Sequence, residues 1–436
     1  MTPAKNTPSL VERDAAVSWH PYTQHGIEVA PMPVASAKGS VITLEDGTEI
    51  IDAISSWWAI LHGHGEAAVA QAMADQALEL DHVLFAGATH EPAVRLAERL
   101  VEVTPAGLTR VFYSDDGSTA IEVALKMVIQ FWQHQDQAQR RVFVGLEHAY
   151  HGDTFGAMAI GDPDPFFEPF SEFMFGARLA KPTIESITAV LEELGDTAAG
   201  VILEPLVQGA GGMLMQTPEF LRELRALCTA RDLPLIADEV MTGFGRTGKL
   251  FACDVAGIAP DLMCLAKGLT GGMTPMSVTM ASERFFECFV SQDRGTAFFH
   301  GHTFTAHPIG CAAALASLDI TLGRDVPGVL DRIGARIEMK LRELLWEFSG
   351  KPNPSATARV TDLRRQGGIV AFDLASGEQG YLAGQAPKLR QEATARGVLL
   401  RPLGHILYAM PPASTTNAQC DRIAEVLVEL VEIASA

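Results

Sequence analysis

Cysteine and basic residues are scarce in this sequence. Only six cysteines occur among 436 residues, and none forms a C-x-x-C pair, so we expect buried free thiols in a reducing compartment. Lysine and arginine together number 33 against 53 aspartates and glutamates, which gives a formal net charge of −20. A chain this acidic repels nucleic acid and anionic membrane surfaces, and neither is expected as a partner.

Long apolar runs and a targeting segment are also missing. No uncharged stretch approaches the roughly 18 apolar residues that a membrane-spanning helix needs. The first residues, MTPAKNTPSLVERD, include no apolar stretch typical of a secretory signal. The sequence therefore predicts a soluble cytoplasmic protein.

Strand-like and helical patterns alternate from about residue 66 onward. This alternation predicts an α/β fold, with a large domain whose mostly parallel sheet is wrapped by helices, plus a smaller α+β domain. The strand-like runs cover 110–114, 140–147, 198–207, 234–240, 262–266 and 277–282. An earlier hairpin turns at Asp46-Gly47. We expect residues 1–60 to contribute to the small domain, 61–322 to form the large domain that carries the site, and 323–436 to complete the small domain.

Polar residues follow these runs at the sheet edge where open parallel sheets collect ligands. Lys267 follows LMCLA and Asp238 follows PLIA. Because a buried ammonium is costly unless it is neutralised, Lys267 is expected to be covalently bound. Pyridoxal phosphate requires such a lysine, a carboxylate for its ring nitrogen and a phosphate cradle. Gly117-Ser118 opens a predicted helix and suits the phosphate, and Tyr150 is the candidate for stacking on the ring.

Other patterns compete with this interpretation. Residues 243–248, GFGRTG, match the G-x-G-x-x-G of dinucleotide sites, but the segment that follows makes a poor helix, which disfavours nicotinamide or flavin binding. His300, His302 and His307 lack the helical spacing of metal ligands, so we expect loop histidines and no metal. Taken alone, the start of the helix at Gly117 could be an ordinary cap.

Three motifs resemble a known family, and the similarity runs over nearly the whole chain. VILEPLVQGAGGM (201–213), LIADEVMTGFGRTGKLFA (235–252) and DLMCLAKGLTGG (261–272) resemble the class III pyridoxal-phosphate aminotransferases. The resemblance implies a type I aminotransferase fold, pyridoxal 5'-phosphate as cofactor, and a homodimer with shared active sites.

Six further segments are similar to one branch of that family. They are WHPYTQ (19–24), DAISSWWAILHGHG (52–65), HVLFAGATHEPA (82–93), AYHGDTFGAM (149–158), HGHTFTAHP (300–308) and LLRPLGHILYAMPP (399–412). Members of this branch transfer an amino group from S-adenosylmethionine to 8-amino-7-oxononanoate, giving 7,8-diaminononanoate in biotin biosynthesis. The resemblance therefore implies a small-molecule amino donor and a long-chain keto acid acceptor.

The resemblance also implies roles for individual residues. The expected catalytic residues are Lys267, which binds the cofactor, Asp238 at the pyridine nitrogen, and Tyr150 on the ring. The other expected cofactor contacts are Gly117, Ser118, His302 and Thr303, the threonine reaching the neighbouring subunit's site. The expected substrate contacts are Tyr22, Trp57, Trp58, Gly301 and Arg401.

Two positions depart from the family pattern. His302 stands before Thr303 where proline is usual, which leaves the local backbone less restricted. Asp116 replaces a common serine beside Gly117. Because a carboxylate facing inward would repel a phosphate, we expect the Asp116 side chain to face out.

Other functions remain open at this point. The chain could be an ω-amino acid aminotransferase of the 4-aminobutyrate or ornithine type, or an enzyme with the same acceptor that uses lysine as donor. A nicotinamide dehydrogenase built on residues 243–248 is a further alternative. A binding protein without catalysis is disfavoured, because it has no need of Lys267.

Overall fold

Strands and helices alternate along most of the chain. This computed structural model describes residues 8–162, 167–347, 359–375 and 384–434. Within these residues the strands are β1 (Val34–Lys38), β2 (Val41–Leu44), β3 (Glu49–Asp52), β4 (Leu108–Ser114), β5 (Val142–Leu146), β6 (Arg178–Ala180), β7 (Ala198–Leu203), β8 (Val207–Gln208), β9 (Leu214–Met215), β10 (Leu235–Asp238), β11 (Leu262–Leu265), β12 (Ser277–Ser282), β13 (Val360–Gln366), β14 (Ile369–Leu374), β15 (Val398–Leu399) and β16 (Ile406–Ala409).

The helices lie mainly between these strands. They are α1 (Leu10–Val17), α2 (Ala67–Glu79), α3 (Glu91–Val103), α4 (Gly117–His134), α5 (Phe155–Ala159), α6 (Ile184–Leu194), α7 (Pro218–Ala230), α8 (Ala252–Ala256), α9 (Glu283–Glu287), α10 (Pro308–Gly323), α11 (Val326–Glu347), α12 (Gln385–Ala395) and α13 (Asn417–Ala434). Short 3-10 helices cover Glu168–Phe173, Gly195–Thr197, Lys267–Thr270 and Arg294–Thr296. Ser55–Trp58 forms a further four-residue helical turn, whose backbone angles at Ser56 and Trp57 are left-handed.

A seven-stranded sheet forms the centre of the molecule, in the order β4-β12-β11-β10-β7-β5-β6. β10 pairs in parallel with β7 and β11, and β5 pairs in parallel with β6 and β7. β12 runs antiparallel to both of its neighbours. Helix α4 packs on β11 and β12. The predicted mostly parallel sheet wrapped by helices is therefore confirmed, and all six predicted strand-like runs contribute strands to it.

The run predicted as one strand over 198–207 is divided in the structure. β7 ends at Leu203, and Val207 then begins β8, which pairs with β9 in a separate two-stranded sheet. Pro205 between them has no N–H to offer a neighbouring strand, and Leu206 has a φ of 65°. The break places Glu204 at the carboxyl edge of the large sheet. β6, which has only three residues, was not predicted from the sequence.

The N-terminal hairpin joins a strand from the far end of the chain. β2 and β3 pair antiparallel around the predicted Asp46-Gly47 turn, so the hairpin prediction is confirmed. β3 then pairs in parallel with β15, through Ile51 with Val398. A separate antiparallel sheet combines β13, β14 and β16. The first and last parts of the chain thus meet in one sheet.

No helix in the described part of the chain is both long enough and apolar enough to cross a membrane.

His62 is a buried histidine whose titration is expected to affect stability. Its Nε2 lies 2.9 Å from Ser317 Oγ, and burial lowers the pKa of the ring from 6.5 to about 4. In the unfolded chain His62 is protonated below about pH 6.5, whereas in the folded chain it is protonated only below about pH 4. The folded state therefore loses stability as the pH falls through this window. The expected loss is about 3 kcal/mol.

A His62→Gln variant is expected to lose less stability on acidification than the original chain, because glutamine does not titrate. Urea denaturation at about pH 7 and about pH 4.5 measures the difference. An equal acid-induced loss in both proteins would show that His62 titrates normally.

Candidate active site

The carboxyl edge of the large sheet gathers the predicted catalytic side chains into one cavity. This cavity has a volume of about 460 Å³, and its lining includes Lys267, Asp238, Tyr150, Gly117 and Ser118. They come together because parallel strands end at the same edge of a sheet. The side chains predicted from strand-end positions therefore share one site.

Lys267 lies just after β11 and begins a 3-10 helix. Its φ of 43° is left-handed, a conformation that costs a non-glycine residue energy and is common at functional sites. Burial lowers the pKa of the amine below its ordinary value, although the carboxylates of Asp238 and Glu204 oppose the shift. A lysine with a lowered pKa is neutral more often, and can act as a nucleophile or a base.

Asp238 ends β10 and is 4% exposed. Its Oδ2 lies 2.7 Å from Nδ1 of His151, and its Oδ1 accepts the backbone N–H of Val240 at 3.0 Å. The Nε2 atom on the other side of the His151 ring is buried and has no hydrogen-bond partner among the described residues. These contacts fix the Asp238 carboxylate in the cavity, where it can stabilise a positive charge.

Helix α4 presents its N-terminus to the same cavity. Asp116 is the N-cap residue, and its Oδ1 accepts the backbone N–H of Thr119 at 2.8 Å. Ser118 Oγ accepts the backbone N–H of Asp153 at 3.2 Å. A Cβ on Gly152 would lie 2.0 Å from that Oγ, so the loop after β5 approaches the helix too closely for a side chain. The free amides of such an N-terminus favour an anion.

A second cavity of about 280 Å³ adjoins the first and shares Lys267, Tyr150 and Trp58 with it. Its lining also includes Tyr22, Trp57 and Arg401.

Aromatic and charged contacts organise this second cavity. Arg401 Cζ lies 4.3 Å from the centre of the Trp57 ring, a cation–π distance. Tyr22 donates to Asp153 Oδ1 at 2.6 Å, and Tyr150 donates to the same oxygen at 3.1 Å. Burial raises the pKa of the Tyr150 phenol well above its ordinary value, so this hydroxyl stays protonated.

Three predicted site residues lie outside both cavities. Gly301 and Thr303 are exposed in the loop before α10, and His302 Nε2 lies 4.0 Å from Asp115 Oδ1. Since Thr303 was expected to serve a neighbouring subunit's site, a single chain does not bring it to its own cavity. The roles of these three residues stay predictions.

Two functional candidates were missed from the sequence. Glu204 accepts the backbone N–H groups of Tyr150 and Gly209, at 3.0 and 2.8 Å, and burial raises its pKa to about 7. The second candidate is His151, next to Tyr150 in the sequence, whose Nδ1 contacts Asp238. The signal that could have found Glu204 is the one that found Asp238, a polar residue directly after a buried strand.

The GFGRTG motif has a structural explanation. Arg246 is 1% exposed and donates to the carbonyl oxygens of Trp58, Ile60 and Pro411 at 3.1, 3.0 and 3.3 Å. The glycines of the motif lie in turns before helix α8. This helix has five residues and is too short for a dinucleotide-binding helix. Among the described residues, no cluster of three or more histidine, cysteine, aspartate or glutamate side chains could hold a metal.

Comparison with curated proteins shows full-length similarity to one kind of enzyme. The adenosylmethionine-8-amino-7-oxononanoate aminotransferase of Synechococcus elongatus is 46% identical over 431 residues, covering 95% of this chain and 98% of the relative. The enzyme of the same name from Mycobacterium leprae is 36% identical, covering 96% of this chain and 95% of the relative.

Solved structures with the same fold are also transaminases. The adenosylmethionine-8-amino-7-oxononanoate aminotransferase of Methanocaldococcus jannaschii matches with a TM-score of 0.89 and 30% identity, over 98% of this chain and 99% of the other. An amine transaminase from an uncultivated Pseudomonas species, solved in the PLP-bound (internal aldimine) form, matches with a TM-score of 0.87 and 31% identity, over 96% and 98%. The chain therefore has the type I aminotransferase fold.

The family model of class III aminotransferases matches residues 22–431, which include both cavities and all of the large sheet. With the full-length relatives and the shared fold, this match makes the chain an enzyme that transfers amino groups, and it belongs to the class III aminotransferases.

Proposed function

We propose that this chain is a pyridoxal-phosphate-dependent enzyme that transfers an amino group to 8-amino-7-oxononanoate, giving 7,8-diaminononanoate in biotin biosynthesis. We further propose S-adenosylmethionine as the amino donor. The observation that carries the proposal is one cavity lined by both the Lys267 amine, whose pKa burial lowers, and the buried Asp238 carboxylate. The names of the full-length relatives support this acceptor and donor.

The residues of the first cavity fit pyridoxal phosphate. Lys267 would hold it covalently, Asp238 would face its ring nitrogen, and Tyr150 would cover the ring. The amides of Gly117 and Ser118 at the start of α4 suit the phosphate, because helix N-termini favour anions. Asp116 was expected to face out but also lines this cavity; its carboxylate accepts the N–H of Thr119 as a helix cap, which is compatible with this arrangement. When bound, this cofactor supplies a carbonyl for the donor amine and a sink for electrons.

Proton transfer is the work proposed for Lys267. A free amine with a lowered pKa can take a proton at Nζ from the donor carbon and return it elsewhere in the same cavity. Asp238, whose carboxylate contacts His151, would place a negative charge beside the ring nitrogen and so favour its protonated form. Glu204 fixes the backbone of Tyr150 and so positions the ring that covers the site.

The second cavity suits a long acid. Arg401 offers a planar guanidinium that can bind a carboxylate with two hydrogen bonds, and Trp57 and Trp58 offer apolar surface. Each buried methylene contributes about 0.8 kcal/mol, so a chain of roughly five methylenes gains about 4 kcal/mol before other costs. This gain would favour a long keto acid over pyruvate.

We also propose a homodimer in the cytoplasm. Phe299 and Phe304, on either side of Thr303, are 76% and 55% exposed, and such apolar surface is typical of a protein interface. A second copy that covered this loop would place its cofactor site next to Thr303 of the first copy, as the family resemblance implies. Sedimentation of the purified protein as a monomer would contradict the dimer.

A single-turnover experiment tests the donor and the acceptor separately. Enzyme loaded with pyridoxal phosphate is mixed with S-adenosylmethionine or with lysine, and the cofactor absorption band is followed. We expect S-adenosylmethionine alone to convert the band, and 8-amino-7-oxononanoate added afterwards to restore it with release of 7,8-diaminononanoate. Conversion by lysine alone would replace the proposed donor. Restoration only by short keto acids would overturn the acceptor.

An Arg401→Ala variant is expected to bind the acceptor poorly while reacting normally with the donor. Hydrogen bonds to a charged group contribute about 1.5–3 kcal/mol, so KM for 8-amino-7-oxononanoate should rise by about tenfold to a hundredfold. Steady-state kinetics, with the concentrations of acceptor and donor varied in turn, measure KM for each substrate. Arg324→Ala removes an exposed guanidinium paired with Glu66 and serves as control. An unchanged KM in Arg401→Ala would place the acceptor carboxylate elsewhere.

A further inference from the structure

Four consecutive residues, two of which line the second cavity, have left-handed φ angles. We name Ser55–Trp58 the tryptophan turn, and its φ angles are 52°, 43°, 67° and 74°. Each non-glycine residue costs about 1–2 kcal/mol in this conformation, and such strain persists only where the surroundings fix it. Contacts outside the turn must therefore hold it.

Asp52 supplies contacts at the start of the turn. Its Oδ1 accepts the backbone N–H groups of Ile54 and Ser56 at 3.2 and 3.0 Å. Its Oδ2 accepts the Ser56 hydroxyl at 2.8 Å and lies 2.8 Å from His64 Nε2. The side chain is fully buried. Burial alone would raise the pKa of Asp52, but hydrogen bonds from His64 and Ser56 hold it below its usual range.

Other contacts anchor this arrangement to distant parts of the chain. The backbone of His64 exchanges hydrogen bonds with Gly39, at 2.7 and 2.9 Å. Ser55 Oγ donates to the carbonyl of Met410 at 2.7 Å, and Arg246 binds the carbonyl of Trp58 at 3.1 Å. The tryptophan turn is thus fixed at both ends, and Asp52 is the anionic contact.

The tryptophan turn decides where both tryptophan rings lie. Trp57 packs edge-on against Tyr22, with ring centres 5.5 Å apart, and lies 4.3 Å from Arg401. Trp58 donates from Nε1 to the Tyr408 hydroxyl at 3.0 Å, and its ring lies 5.1 Å from Lys267 Nζ. Relaxation of the backbone to right-handed angles would turn these rings away from the cavity.

We propose that Asp52 is a positioning residue for the acceptor. The Asp52 carboxylate does not touch the acceptor, but it holds the tryptophan turn so that Trp57 and Trp58 line the path between Lys267 and Arg401. The inference rests on the proposed function for the identity of the acceptor. The way Asp52 holds Trp57 can be measured without any substrate.

Asp52→Asn is the main test variant, because asparagine preserves size and removes the charge. KM for 8-amino-7-oxononanoate is expected to rise by about tenfold to a hundredfold, as small misplacements in a site can have such effects, while kcat changes little. Ser56→Ala removes one of the four contacts and is expected to act in the same direction more weakly. His64→Gln keeps a donor for Asp52 and is expected to stay near the original KM.

Acrylamide quenching of Trp57 emission gives a readout that needs neither substrate nor turnover. The emission of Trp57 is obtained by subtracting the Trp57→Phe variant in each background, with cofactor absent. We expect Asp52→Asn to change the quenching constant of Trp57. Asp261→Asn is the matched control. Asp261 accepts the backbone N–H of Leu235 and binds Arg225 at the opposite edge of the sheet, so its loss lowers stability without reaching the tryptophan turn.

The outcomes separate the two proposals. If the original enzyme does not aminate 8-amino-7-oxononanoate, the proposed function fails, and the quenching experiment still tests Asp52. If Asp52→Asn and Asp261→Asn lower the melting temperature alike while quenching and KM keep their original values, Asp52 is only structural and the inference is wrong. Should Asp52→Asn fail to fold, Ser56→Ala takes its place in both measurements with His64→Gln as control, and original values in Ser56→Ala would overturn the inference.

Discussion

Replacing Lys267 by alanine is expected to lower the rate of amino-group transfer by about 10⁴-fold or more, since it removes both a nucleophile and a general base. The Lys267 amine lines the first cavity, and burial lowers its pKa. We also expect the variant to lose the covalent attachment of pyridoxal phosphate that borohydride traps. Rapid-mixing kinetics and mass spectrometry after reduction measure the two effects.

Lys249→Ala provides the control for this prediction. Lys249 lies in the preceding motif, residues 235–252, and is exposed, so its loss should leave both rate and attachment unchanged. Added methylamine is expected to restore part of the rate of Lys267→Ala, because a small amine can enter the vacated space and act as a base. A Lys267→Ala enzyme that still attached the cofactor covalently would refute the assignment.

Replacing Asp238 by asparagine is expected to reduce kcat by about 10²–10³-fold, the usual effect of losing one fixed electrostatic contact in an enclosed site. Asparagine has the same size and can still contact His151, whose Nδ1 lies 2.7 Å from the carboxylate. It has no negative charge, however, and cannot favour a protonated ring nitrogen. Steady-state kinetics at saturating cofactor isolate kcat from weaker cofactor binding.

Asp261→Asn is again the matched control, because Asp261 contacts β10 at its opposite end, through the N–H of Leu235. Its kcat should stay close to the original value even if its stability falls. Equal losses of kcat in both variants would mean that the Asp238 carboxylate supports the fold rather than the reaction.

The meeting of Lys267 and Asp238 was predictable because it follows from strand order and local pattern. β10 and β11 are parallel neighbours, with Asp238 opposite Cys264, so polar residues just beyond their ends must lie close together. Gly117 and Tyr150 follow other strands of the same sheet by the same rule. For these residues, recognising buried strands was sufficient.

The tryptophan turn could not be predicted, because its conformation opposes local preference. Bulky residues avoid left-handed angles, and this stretch adopts them only through contacts with Asp52, Arg246 and Met410. The last two lie far away in sequence and become neighbours only in the folded chain. The contact between His151 and Asp238 likewise depends on how a loop returns over the sheet edge. The roles predicted for Gly301 and Thr303 rest on the proposed dimer, which strand-end patterns in one chain do not address.

The pairing of β3 with β15 has a consequence for how the protein is made. Ile51 and Val398 are about 350 residues apart. During synthesis on the ribosome, β3 therefore cannot pair with β15 until most of the polypeptide has emerged. Contacts this distant in sequence slow folding, and an unpaired strand edge can recruit other chains meanwhile. Because Met410 also anchors Ser55, the tryptophan turn, which contributes Trp58 to both cavities, can reach its final conformation only after this late part of the chain has been synthesised.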